Sequence, residues 1–153
     1  MTFGRLGEPV TLRDAATEEP GGLLFDARLE YRLAPNPVGV SRQWRIVSTA
    51  YEYRLLDRKQ IELLAFHWQP DVASRGPDHP HLHVSAGLSA WVSATERRRI
   101  DLDKLHIPTG LLSLADIVRM LIDEFAVAPL HDDWRARLDR VAPRLGRRFA
   151  GEG

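Results

Sequence analysis

The chain has 153 residues, 44% of them hydrophobic and 27% charged, with 21 basic and 21 acidic side chains, a formal net charge of +0 at pH 7 and no cysteine. That is the length and composition of one globular domain. The balance gives no general attraction to nucleic acid, and the absence of thiols excludes disulfides, thiolate zinc sites and cysteine nucleophiles. No apolar run approaches the roughly 20 residues of a membrane span. The opening MTFGRLGEPVTLRDAATEEP lacks the apolar core of a signal peptide, so a cytoplasmic protein without membrane association is expected.

Residues 1–22 are weakly patterned and expected to be irregular, with Thr17 to Gly22 reading as a loop. From Leu23 to Leu33, Phe25, Ala27, Leu29, Tyr31 and Leu33 alternate with Asp26, Arg28, Glu30 and Arg32, the period of a strand with one wet face. Pro35 and Pro37 mark a connection, because proline cannot donate to a ladder. The run Gln43 to Leu56 is rich in β-branched and aromatic residues, with Val47, Thr49, Tyr51, Tyr53 and Leu55 expected on one side and Arg45, Glu52 and Arg54 on the other. Asp57 to Gln60 turns the chain, and Ile61 to Trp68 supplies an antiparallel partner. After a loop containing Gly76-Pro77, His81 to Ala86 reads as a short strand with Leu82 and Val84 on one face and His81, His83 and Ser85 on the other. Leu88 to Ile100 reads equally as strand and loop or as a short helix, and His106 to Gly110 as a turn feeding a helix.

Ser113-Leu114-Ala115-Asp116 has capping-box spacing, with Asp in the usual Glu or Gln position. Leu114, Ile117, Val118, Leu121, Ile122 and Phe125 then recur at helical spacing until Pro129. Asp132 is placed to cap a second helix whose apolar face is Trp134, Leu138, Val141, Leu145 and Phe149, with Pro143 arguing for a kink or break. Trp44, Trp68, Trp91 and Trp134 are expected to be core or partly buried anchors. The sum is one α+β domain over 1–153: a strand-rich stretch 23–86, helices at 113–128 and 132–149, and an irregular end at 150–153. Its architecture is an antiparallel sheet of four or five strands packed by one or two C-terminal helices.

The concentrated polar chemistry is Asp78-His79-Pro80-His81-Leu82-His83, within a stretch that also holds His67 and His106. On an extended chain His81 and His83 face the same side, and His79 joins them if the chain is extended before Pro80. Two chemistries suit this pattern. Neutral imidazoles of His79, His81 and His83 can ligate a divalent metal ion, with Asp78 orienting a ring or lending an oxygen. Alternatively, His81 and His83 with Asp78 act as a metal-free general acid and base. Asp101, Asp103 and His106 form a weaker candidate group in the following loop. A purely structural role, with imidazoles bonded to backbone carbonyls, is the plain alternative. The basic clusters Arg97 to Arg99 and Arg135 to Arg148 read first as solvated faces, so RNA is a partner that the net charge does not support.

Tyr51-x-Tyr53, Asp78-x-x-His81 and Ser113-Leu114 resemble, over roughly positions 28–125, the pattern of the TumE-type toxin-like proteins of toxin–antitoxin loci. The third histidine at His83, the long Ser85 to Pro108 stretch and the second helix depart from that pattern. The resemblance implies a cognate antitoxin and an attack on RNA centred on His79 and His81. Two functions therefore stand side by side: a small hydrolase or ribonuclease-like protein built on the histidines, and a noncatalytic interaction domain. Open sheet edges make a protein partner or a homo-oligomer an expectation for either.

Overall fold

The structure is a computed structural model that describes residues 8–37, 43–70, 77–85 and 106–146, with side chains described as far as 141. Six strands follow one another: β1 (Val10–Arg13), β2 (Pro20–Pro35), β3 (Trp44–Asp57), β4 (Glu62–Trp68), β5 (His81–Val84) and β6 (His106–Pro108). Two helices complete it, α1 (Leu114–Glu124) and α2 (Trp134–Gly146). The strands form one sheet in sequence order, every neighbouring pair antiparallel. This is the expected α+β architecture with two additional strands at its edges. Val10–Arg13 pairs with the start of β2 inside the stretch expected to be irregular, and His106–Pro108 is a strand where a turn was expected.

Alternation divides the sheet into two unlike faces. Phe25, Ala27, Tyr51, Tyr53, Leu55 and Phe66 build the apolar face, and Ile117 and Leu121 of α1 close over it. Ser113 starts α1 as the sequence predicts: its Oγ accepts from the Asp116 amide at 3.2 Å, and the Asp116 carboxylate accepts from the Ser113 amide at 2.9 Å. The helix ends at Glu124, capped by Phe125, before Ala126 takes a left-handed φ of 51°. Tyr51 accepts a hydrogen bond from the Leu112 amide at 3.3 Å and so ties the segment before the helix to β3. The second helix begins at Trp134 and passes through Pro143 without the expected break. Proline forfeits one backbone bond there, which water can replace on an exposed helix.

The β3–β4 turn is closed by Asp57, whose Oδ1 accepts from the amides of Lys59 and Ile61 at 2.8 Å each, with Gln60 at a positive φ of 62°. At the other end of β3 a bulge corrects the expected alternation. Ala50 pairs with Glu30 and Ser48 with Tyr31, leaving Thr49 as the extra residue. Val47 therefore lies opposite Arg32 rather than on the face of Tyr51. Beyond this point the β2–β3 ribbon runs past the helix. Tyr31, Leu33, Trp44 and Ile46 are exposed there, so Trp44 at 59% exposure is no core anchor. Trp91, Arg97 to Arg99, Asp101, Asp103 and the stretch 88–100 lie outside the described residues.

Leu121→Ala should cost about 2–5 kcal/mol in urea unfolding, because it opens a cavity beneath α1. Leu33→Ala, at a position 63% exposed, should stay within about 0.5 kcal/mol.

Candidate metal centre

The second face of the sheet is polar, and its residues lie in two rows. One row runs Arg28, Glu52, His67, His81 and Pro108 from β2 to β6. The next runs Asp26, Arg54, Ala65, His83 and His106. Both follow from pairing alone: His67 lies opposite His81, and His83 opposite His106, so imidazoles from three strands gather on one surface. Ring centroids are 4.9 Å apart for His67 and His83, 4.8 Å for His81 and His83, and 4.4 Å for His83 and His106. Ala65 is 0% exposed, so this small side chain forms the floor between Arg54 and His83.

His67, His81 and His83 each bring a ring nitrogen to within 4.8 Å of the others. His81 is buried at 6% exposure, and its Nδ1 lies 2.8 Å from the carbonyl oxygen of His79. A carbonyl only accepts, so Nδ1 carries the proton and the Nε2 lone pair of the neutral ring points outward. That lone pair meets His83 Nε2 at 3.0 Å. A proton on His83 Nε2 satisfies both rings. A metal ion in place of that proton uses both lone pairs instead, once the proton of His83 moves to Nδ1. The Nε2 of His67 is buried without a hydrogen-bond partner. Glu52 Oε1 lies 3.6 Å from it, beyond hydrogen-bonding range.

His67 and His83 are held toward the neutral form. Burial first, and then the neighbouring His67, His106 and His81, lower the pKa of His83 from 6.5 to about 4. Burial also lowers that of His67, against the pull of Glu52 and Glu62. The Glu52–His67 contact is therefore a carboxylate beside a neutral imidazole rather than an ion pair. Arg28 and Arg54, the arginines of the two rows, are bonded to carboxylates: Arg28 to Glu30 at 2.8 Å, and Arg54 to Asp26.

Among the residues singled out from sequence, the fold brings His81 and His83 together. His79 stands apart, its ring 6.1 Å from that of His81 and half exposed, and it serves the group through its backbone carbonyl. Asp78 is exposed and lies 3.6 Å from His79 Nδ1. The third ring of the triad is His67, which the local motif did not include. Alternation along β4 placed it opposite Phe66 and Trp68, but its partner in β5 depends on the β4–β5 pairing, which no local pattern specifies. Comparison with protein-family models, curated proteins and solved structures finds no match. The chemistry of this face carries the functional reading.

The depressed histidine pKa values set a pH dependence. The unfolded chain takes up protons near pH 6.5, before the folded one does, so stability is complete above that value and drains away as pH falls toward about 4. In metal-free protein, NMR titration of the imidazoles should show His83 neutral down to about pH 4.

Proposed function

We propose that the imidazole face binds a divalent transition-metal ion through His67, His81 and His83 and serves a hydrolytic reaction. The supporting observation is the convergence of three ring nitrogens within 4.8 Å, one ring oriented by a backbone carbonyl. Neutral imidazole is the form that ligates, and a hydrogen bond to the far ring nitrogen is the usual support of a ligating histidine. Three histidines suit zinc, iron, nickel or copper better than calcium or magnesium, which take oxygen donors. Such an ion, when bound with an open position, supplies Lewis acidity and an activated water. The protein contributes the rings, their neutrality and the shielded floor at Ala65.

The rows beside the triad bear on substrate. Asp26, Glu30 and Glu52 share the face with Arg28 and Arg54, and both arginines are engaged by acids. This arrangement supports a small uncharged substrate over RNA for the hydrolytic reading. The ribonuclease activity implied by the TumE-type resemblance would need its phosphate-binding groups elsewhere. A noncatalytic interaction domain is the second reading, favoured by the exposed Tyr31, Leu33, Trp44 and Ile46 at the end of the β2–β3 ribbon.

Zinc, nickel and cobalt should each bind the purified protein with one-to-one stoichiometry in calorimetric titration and raise its melting temperature. His81→Ala and His83→Ala should weaken binding by at least about 100-fold, more than loss of an outer-shell partner costs. A wild-type protein that takes up none of the three ions would remove the metal reading. A metal-loaded protein inert toward small uncharged ester and amide substrates would remove the hydrolytic part.

A further inference from the structure

Glu52 lies at the centre of the polar face, on β3 opposite His67, and its charge acts on Arg54 and on His67. The arginines beside it make their hydrogen bonds to other acids, Arg28 to Glu30 and Arg54 to Asp26. Its carboxylate faces His67 Nε2 instead, at 3.6 Å. That nitrogen is buried and has no hydrogen-bond partner among the described residues. A cation between the carboxylate oxygen and a ring lone pair would satisfy both groups in this partly buried site. The separation is close to the roughly 3.3 Å expected between two donors that each sit about 2.0–2.1 Å from a common ion in tetrahedral geometry.

We infer that Glu52 is the fourth protein donor of the metal centre, making it a three-histidine, one-carboxylate site. The inference rests on the metal reading above and extends it to a residue on a third strand. The donors arise from β3, β4 and β5 of one sheet face, so they approach the ion from the protein side. The outward side of the face is left to water or substrate. A carboxylate also adds a hard, anionic oxygen to three borderline nitrogens, which favours manganese, iron(II) or cobalt more than an all-imidazole set would.

The test is metal titration of the full chain with manganese(II) and cobalt(II), using wild type, Glu52→Gln and Glu62→Gln. Glutamine keeps the size of Glu52 and removes its charge. Glu62 acts on His67 through its charge alone, so its variant measures the effect of the field. The expected result is that Glu52→Gln weakens manganese binding at least about tenfold and alters the visible bands of bound cobalt, while Glu62→Gln leaves both near wild type. Equal binding and an unchanged cobalt spectrum in Glu52→Gln would overturn the inference and leave the three-histidine centre standing. Equal weakening by both variants with an unchanged spectrum would also overturn it, since charge alone would then explain the loss. A wild type that binds zinc or nickel but neither of these ions would overturn this inference alone, and one that binds none of the four would overturn both readings.

Discussion

Cross-strand pairing governs this molecule, because the two faces of the sheet are spent on different tasks. In an antiparallel ladder the side chains of paired residues emerge on the same side, and a shift of one residue exchanges the faces. On the buried side, Ala27, Tyr53 and Phe66 line up across β2, β3 and β4 beneath α1. A one-residue slip of β4 against β3 and β5 would part His67 from His81 and drive Phe66 out of the core. Hydrophobic burial beneath α1 therefore holds the imidazoles in place on the opposite face, without a direct contact between the two. The site is polar, but its geometry is set by apolar packing.

That arrangement explains how four imidazoles tolerate one another. Charged rings at centroid spacings of 4.4 to 5.8 Å would repel strongly. Burial and mutual proximity push protonation of His83 and His67 down, and His81 and His83 bring their Nε2 atoms to 3.0 Å, where one proton can be shared. The same neutrality that makes the cluster tolerable makes it a set of lone pairs. Structural economy and ligand character come from one cause.

Much of the fold was legible in the sequence because it rests on local signals. The alternation from Phe25 to Leu33, the turn at Asp57 to Gln60 and the capping box at Ser113 each act within a few residues, and each appears where expected. What local signals missed has physical reasons. The bulge at Thr49 inserts a residue without changing composition, and it reverses Val47 and exposes Trp44. Strands β1 and β6 are short, four and three residues, and their identity comes from neighbours rather than from their own pattern. For the site, spacing along one strand was enough to pair His81 with His83. It was not enough to find His67 or Glu52, whose membership depends on pairing across strands separated by a loop.

The imidazole face lies toward the open end of the sheet, and this has a kinetic side. On β6 only His106, Ile107 and Pro108 pair with β5, and β5 is itself only four residues long. Short outer ladders open at a lower free energy than the protein unfolds. Fraying of β5 and β6 would part His81 and His83 from His67 while β2, β3 and α1 stayed folded. A guest held among these rings can thus leave by local unzipping, and its residence time is set by the edge of the sheet rather than by the core.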